Sequence, residues 1–170
     1  GPGDAVLCPS FTFCATGEAV ALTGATPVFV DICEDTWCLD PAKVEQAITP
    51  RTRAIIAVHL YGNLCAMDEL LAIGARHGIA VIEDAAEAIG SEWQGQRAGS
   101  MGRFGVFSFH GTKVMTTGEG GMLATRDEAL LKRVQQLNNH GLAAGDMRQI
   151  CPSELGHKYN ISNLQAALGC

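Results

Sequence analysis

The sequence predicts an α/β fold with a mostly parallel β-sheet covered by helices. Short runs rich in β-branched residues alternate with helical stretches along the 170 residues, as in chains built from β–α–β units. Residues 54–58 are continuously apolar, which is typical of a strand buried on both faces. The composition, 47% apolar and 18% charged, is that of one globular domain.

Six strands are predicted from apolar runs bounded by turn residues. They lie at 5–7, 27–30, 54–58, 79–82, 104–109 and 121–124. In a sheet of this kind, ligands bind beyond the carboxyl ends of the strands. The residues that follow each strand are therefore the first candidates for a functional site.

The first three predicted helices carry local start or stop signals. A helix over 15–22 is closed by Gly24, which suits the left-handed conformation after a helix. The Asp-Pro pair at 40–41 supplies an N-cap and a first helical residue for a helix that runs to about 48. An amphipathic helix over 67–77 ends at Gly78.

Two capping boxes predict the last two helices. Thr125 with Glu128 predicts a helix that reaches about 138, and Ser162 with Gln165 opens a final helix. In each pair, a hydroxyl and a side-chain carbonyl three residues on satisfy backbone N–H groups that the helix itself leaves free.

Charge and cysteine usage exclude several classes of protein. Twelve basic against eighteen acidic residues give a net charge of −6, with no basic run for nucleic acid or an anionic membrane. We find neither a run long enough for a membrane span nor a signal-peptide pattern. The seven cysteines lack paired C-x-x-C spacing, which predicts reduced thiols in a cytoplasmic protein rather than disulfides or a metal site.

Two strand ends carry reactive side chains. Asp84 and Glu87 follow the strand at 79–82, and Lys113 follows the strand at 104–109. A lysine and a carboxylate at neighbouring strand ends suit pyridoxal 5'-phosphate (PLP), which needs an amine for a Schiff base and an acid beside its ring nitrogen.

Five blocks in order along the chain resemble the DegT/DnrJ/EryC1/StrS family of PLP-dependent sugar aminotransferases. They are PSFTF at 9–13, HLYG at 59–62, EDAAE at 83–87, SFHGTK at 108–113 and GHKYNISNLQAA at 156–167. The resemblance implies the large domain of a fold-type I PLP-dependent transferase. It also implies that residues 1–170 are part of that PLP-binding domain, truncated at both ends, and that the C-terminal small domain is absent.

The resemblance assigns the two central roles. Lys113 would form the Schiff base and later carry the proton between the sugar carbon and the cofactor. Asp84 would keep the ring nitrogen of PLP protonated. The alternatives are a solvated surface lysine and an aspartate that only caps a turn.

The resemblance also gives three further cofactor contacts. Glu87 would lie near the ring hydroxyl, where the family often has Gln. Phe13 would stack on the ring, and Ser108 would donate its hydroxyl to the phosphate. The alternatives are a solvent-facing Glu87, a core Phe13 and a Ser108 bonded to backbone.

Three residues have weaker assignments. Asn160 resembles the residue that reaches the phosphate of the neighbouring subunit, which implies a homodimer with shared sites; the alternative is an Asn in a turn. His110 would lie near the substrate. His59 ends a strand and could face the site, but its position favours a histidine satisfied in the core.

The resemblance implies amino transfer, with glutamate as the usual donor, to a keto-sugar nucleotide, most often a 4-keto-6-deoxyhexose. Glu87 together with TTGEGGM at 116–122 resembles the perosamine synthase subgroup, in the biosynthesis of polysaccharides or other glycoconjugates. One alternative is a PLP-dependent sugar dehydratase, in which histidine replaces the lysine. Another is an inactive fragment that binds no cofactor.

Two nucleotide-binding alternatives lack their motifs. No G-x-G-x-x-G follows the first strand, as a Rossmann dehydrogenase requires, and the glycines at 118–121 lack the Gly-Lys-Ser/Thr of a phosphate-binding P-loop.

Overall fold

The structure, a computed structural model, is an α/β fold in which one mixed sheet is packed against helices. It describes residues 1–142, 152 and 154–170, so Cys151 lies outside the described residues. The sheet has the order β2-β1-β3-β4-β7-β8, and every adjacent pair is parallel except β7 and β8. The predicted fold class is confirmed.

The strands lie close to their predicted positions. Those of the sheet are β1 (Ala5–Pro9), β2 (Thr26–Val30), β3 (Thr52–Val58), β4 (Ala80–Asp84), β7 (Phe104–Ser108) and β8 (Gly121–Ala124). A two-stranded hairpin of β5 (Glu92–Trp93) and β6 (Gln96–Arg97) was not predicted. Its strands are two residues long, too short for a period of two to be recognised.

The helices are α1 (Ala15–Leu22), α2 (Pro41–Ala47), α3 (Met67–His77), α4 (Glu128–Asn138) and α5 (Asn163–Leu168), with a short 3₁₀ turn at Leu60–Gly62. Asp40 caps α2, and Gly78 ends α3 in the left-handed conformation. The capping box of Ser162 and Gln165 is present at α5. These predictions are confirmed.

The predicted cap of α4 is wrong. Asp127, not Thr125, accepts hydrogen bonds from the backbone N–H groups of Ala129 and Leu130. The Thr125 hydroxyl is used otherwise, because it donates to the carbonyl of Arg103 and accepts from the N–H of Asp127. A threonine, an aspartate and a glutamate in so short a stretch offer two overlapping cap patterns, and the contact to Arg103 decides between them.

The core lies between the sheet and the pair α2 and α3. Leu7, Ile55 and Val81 from the strands pack against Val44 of α2 and the buried face of α3. Side chains alternate between the faces of a strand, so residue 84 points away from the face that holds Val81. Helix α1, which contacts β1 and β2, lies on that second face.

Candidate active site

The site residues gather at one edge of the sheet because the strands β1, β3, β4 and β7 are parallel. Their carboxyl ends meet there, and Phe13, His59, Asp84 and Ser108 stand at or just beyond those ends. The loop after β7 carries Lys113 to the same edge. The sequence predicts that the two strand ends with reactive side chains are neighbours, and the strand order β4-β7 supports this.

Lys113 and Glu87 form an ion pair at this edge. The Lys113 Nζ atom lies 3.2 Å from Oε1 of Glu87, and the side chains are 20% and 30% exposed. The other carboxylate oxygen of Glu87 accepts the backbone N–H of Tyr61 at 2.9 Å. Tyr61 takes a left-handed conformation, with φ of 53°, which is uncommon for a residue with a side chain. Glu87 is therefore held at both oxygens and orients the amine.

Asp84 is oriented by groups from both sides of the strand end. Its Oδ2 atom accepts the hydroxyl of Thr16 at 3.2 Å, and its Oδ1 atom accepts the N–H of Ala86 at 3.2 Å. Its backbone carbonyl accepts the N–H of His59 at 3.0 Å. Thr12 donates to Thr16 at 3.2 Å, so the loop before α1 is joined to the same carboxylate. Each carboxylate oxygen has a further lone pair that can accept a hydrogen bond.

Glu83, next in sequence to Asp84, is fully buried with its carboxylate among N–H donors. It accepts hydrogen bonds from the backbone N–H groups of Gly99, Met101 and Gly102 and from the Nε2 atom of His59 at 3.0 Å. Burial acts to raise the pKa of Glu83, but these hydrogen bonds outweigh it and hold the pKa below the usual glutamate value.

His59 is a core histidine in this structure. It is fully buried, and its Nδ1 atom accepts the N–H of Cys65 at 3.3 Å while Nε2 bonds Glu83. With both ring nitrogens occupied, His59 has none left for a substrate. The structure therefore favours the core role over the weak substrate assignment.

Ser108 and His110 lie in the turn that leads to Lys113. The Ser108 hydroxyl accepts the N–H of His110 at 3.3 Å and remains free to donate. The exposed ring of His110 bonds the Thr112 hydroxyl at 3.0 Å and lies 3.7 Å from Glu119. The Lys113 N–H closes this turn on the His110 carbonyl at 2.9 Å.

Phe13 and Asn160 are not joined to the ion pair by any hydrogen bond. Phe13 is 72% exposed and lines a surface groove with Phe29 and Gly17, so it is not the core residue of the alternative reading. Asn160 is exposed, and its side chain bonds that of Asn138 at the end of α4. Its assignment to a neighbouring subunit stays a prediction.

The side chains at this edge fit PLP. They present one primary amine, two carboxylates with lone pairs to spare, a hydroxyl and an exposed aromatic ring, which is the donor set that a Schiff base, a pyridinium nitrogen, a phosphate and a flat ring require. Within the described ranges, no group of three or more His, Cys, Asp or Glu side chains is arranged to hold a metal ion.

Sequence reasoning assigned no role to three residues that shape the site. Thr16 holds Asp84, Tyr61 holds Glu87 through its backbone, and Glu83 anchors the end of β4. Tyr61 before Gly62 could have suggested a strained turn. Thr16 carried no local signal, since its partner lies 68 residues away.

The family model described as the DegT/DnrJ/EryC1/StrS aminotransferase family matches residues 1–170. GDP-perosamine synthase of Caulobacter vibrioides is 47% identical over 169 residues, 99% of this chain and 45% of that protein. The crystal structure of S. venezuelae DesV is 42% identical, with a TM-score of 0.92 over 99% of this chain and 44% of DesV. The PLP form of Spr1654 from Streptococcus pneumoniae is 35% identical, with a TM-score of 0.91 over 99% of this chain and 48% of that protein.

The chain therefore spans less than half the length of the relatives that it matches. Among the residues that the structure describes, no helix is long and apolar enough to cross a membrane.

Proposed function

This chain belongs to the DegT/DnrJ/EryC1/StrS aminotransferase family, and we propose that it forms part of an enzyme that uses PLP to transfer an amino group to a keto-sugar nucleotide. The observation that carries the proposal is the meeting of Lys113, Glu87 and Asp84 at one sheet edge in a chain of this family. Residues 1–170 then belong to the PLP-binding large domain of that enzyme. The likeness to GDP-perosamine synthase supports a nucleotide-linked sugar as the amine acceptor. A 4-keto-6-deoxyhexose as that acceptor and glutamate as the donor are what the family resemblance implies.

PLP, when bound, supplies an aldehyde for the lysine amine and a protonated ring that withdraws electrons from the reacting carbon. Lys113 would hold the cofactor through its Nζ amine and, as a free amine, would carry a proton to and from that carbon. The 3.2 Å contact to Glu87 orients Nζ, and the Tyr61 N–H holds Glu87 in turn. A positioned amine of this kind lowers the entropic cost of reaction.

Asp84 would accept a hydrogen bond from the protonated ring nitrogen of PLP. Thr16 and the Ala86 N–H hold its carboxylate so that its orientation is set before the cofactor arrives. Phe13 would supply a flat contact for the ring, and the Ser108 hydroxyl would donate to the phosphate. His110, which is exposed and lies 3.7 Å from Glu119, would contact the sugar nucleotide.

A homodimer completes the site in this proposal. Asn160 and its exposed neighbours Tyr159 and Leu164 form a surface on the α5 side of the chain. In a two-fold dimer, one Asn160 would reach the cofactor phosphate of the other subunit.

The first test is borohydride reduction of the protein containing this chain after mixing with PLP, followed by peptide mapping. We expect a stable adduct on Lys113 that Lys113→Ala abolishes. Lys43→Ala is the matched control, because Lys43 also pairs with a carboxylate, Asp31, at 2.9 Å. Labels scattered over several lysines would contradict the proposal.

The second test separates amino transfer from the alternative dehydratase reaction. Incubation with glutamate and a nucleotide-linked 4-keto-6-deoxyhexose should yield the amino sugar and 2-oxoglutarate in equal amounts. A deoxygenated sugar without nitrogen would establish the dehydratase. The presence of Lys113 favours amino transfer, because the dehydratases of this family have histidine in its place.

A further inference from the structure

We propose that His59 and Glu83 are a pair of positioning residues, which hold the end of β4 so that Asp84 presents its carboxylate to the ring nitrogen of PLP. The inference rests on the proposed function, since it takes Asp84 as the partner of that nitrogen. Neither His59 nor Glu83 is exposed to solvent or lies free to contact a ligand. They act on the site only through Asp84.

The hydrogen-bond partners define the state of the His59 ring. The Cys65 N–H donates to Nδ1 at 3.3 Å, so Nδ1 carries a lone pair and the ring proton stands on Nε2. That Nε2–H donates to Oε2 of Glu83 at 3.0 Å. His59 is thus a neutral donor to a carboxylate rather than its counter-ion.

Glu83 is an anion, and none of its hydrogen-bond partners is a cation. Oε2 accepts from His59 and from the N–H of Gly99 at 2.8 Å, and Oε1 accepts from the N–H groups of Met101 at 2.7 Å and of Gly102. All four partners are donors, so a proton on the carboxyl group would displace one of them. Four convergent donors are what a buried carboxylate needs in place of water.

The pair is coupled to Asp84 through the backbone. His59 donates its own N–H to the Asp84 carbonyl at 3.0 Å, and Val58 is the register partner of Asp84 in the sheet. On the other side, the Ala85 N–H donates to the carbonyl of Val106. The main chain at Asp84 is therefore clamped between β3 and β7, and the Glu83 side chain fixes the same strand end from the opposite face of the sheet.

Close packing leaves this clamp little freedom. A Cβ atom on Gly102 would lie 2.8 Å from the Val81 carbonyl and 3.3 Å from Cγ of Glu83. A Cβ atom on Gly105 would lie 2.0 Å from the carbonyl of Gly99. The turn that donates to Glu83 lies against β4 and β7 at backbone contact distance, so a change at Glu83 moves the strand end rather than being absorbed.

Two substitutions at His59 separate its two hydrogen bonds. In His59→Asn, the side-chain carbonyl can still accept the Cys65 N–H, but the donor to Glu83 is lost. In His59→Gln, the longer amide can donate to Glu83, while the acceptor for Cys65 is lost. His77→Asn is the matched control, because His77 also bonds a glutamate, Glu45, at 3.0 Å but on the surface.

The readout is the ratio of two dissociation constants, for PLP and for an analogue in which CH replaces the ring nitrogen. Measured on the protein containing this chain, the wild type should prefer PLP, and Asp84→Asn should lose that preference. We expect His59→Asn to weaken PLP binding about tenfold and analogue binding within about twofold. His59→Gln should stay near the wild type, and His77→Asn should match it.

Glu83→Asp is the second variant, and it decides the matter if His59→Asn does not fold. Its carboxylate is one methylene too short to reach all four donors, so its preference for PLP should fall as in His59→Asn. Equal losses for PLP and the analogue would mean that the pair only stabilises the fold, and this would overturn the proposal. The proposal would also be overturned if His59→Asn and Glu83→Asp kept the preference for PLP that the wild type shows. A wild type without any preference would instead remove the proposed role of Asp84, and the inference with it.

Discussion

Glu87 and Lys113, 26 residues apart in sequence, form an ion pair of 3.2 Å at the edge where β4 and β7 end. The pair exists because Glu87 follows β4 by three residues and Lys113 follows β7 by five, and the two strands are neighbours in the sheet. It places the predicted Schiff-base amine beside a second carboxylate, which is itself held by the Tyr61 N–H.

Glu87→Gln tests this pair. Partly exposed ion pairs contribute little, so we expect the free energy of unfolding to change by less than about 1 kcal/mol. The amide retains an oxygen for the Tyr61 N–H, whereas Glu87→Ala loses both contacts and should reduce turnover further. Chemical denaturation and steady-state kinetics on both variants check this. A larger loss of activity in Glu87→Gln than in Glu87→Ala would contradict it.

Glu83 should govern part of the stability in acid. Its folded-state pKa lies below the unfolded value, so its contribution is fully present above about pH 4.3 and is lost as the pH falls through the folded-state pKa. Glu83→Gln should therefore lower the midpoint of thermal unfolding at pH 7, and the difference from wild type should narrow as the pH falls below about 4.3. A difference that does not depend on pH would be evidence against this account.

Gly105→Ala should destabilise the fold because the new methyl group would lie 2.0 Å from the Gly99 carbonyl oxygen. This oxygen belongs to the backbone, so the clash can be relieved only if the whole turn shifts. We expect a loss of about 1–3 kcal/mol or more. Gly17→Ala is the control. Its methyl group meets the ring of Phe29 at 3.2 Å, and that ring is 59% exposed and can rotate away. Equal destabilisation of the two variants in urea titrations would show that backbone contact is not the cause.

Asp127→Ala should cost about 1 kcal/mol, the usual value of an N-cap, because two backbone N–H groups of α4 lose their acceptor. Arg126→Ala, an exposed neighbour outside the cap, should be neutral within about 0.5 kcal/mol. Urea titration measures both. If the two variants were equally stable, Asp127 would not be the functional cap.

Cysteine reactivity should follow exposure. Cys14 and Cys170 are exposed, whereas Cys8, Cys38 and Cys65 are buried. Burial raises the pKa of Cys8 to about 11, so its thiolate is scarce at neutral pH as well as inaccessible. Iodoacetamide should label Cys14 and Cys170 in the folded protein and the other three only in urea, as peptide mass mapping would show. Early labelling of Cys8 would contradict the packing of β1.

Local signals were enough to predict most elements. Asp40 before Pro41, and Ser162 with Gln165, specify helix starts through bonds that span no more than three residues. The same reasoning failed at Thr125, because its hydroxyl bonds Arg103, 22 residues away. Sequence reasoning also left His59 with two possible roles, in substrate contact or in the core. The hydrogen bond to Glu83, 24 residues away, favours the role in the core.

The amino-acid sequence alone thus determined the alternation of strands and helices and the reactive side chains that follow β4 and β7, because periodicity and capping are short-range effects. It also carried the family resemblance that the comparisons bear out. Only the tertiary structure decided which hydrogen-bond partner each of these side chains has. Thr16 on Asp84, Tyr61 on Glu87 and His59 on Glu83 depend on strand order and register, which follow from the packing of the whole sheet and not from any local pattern.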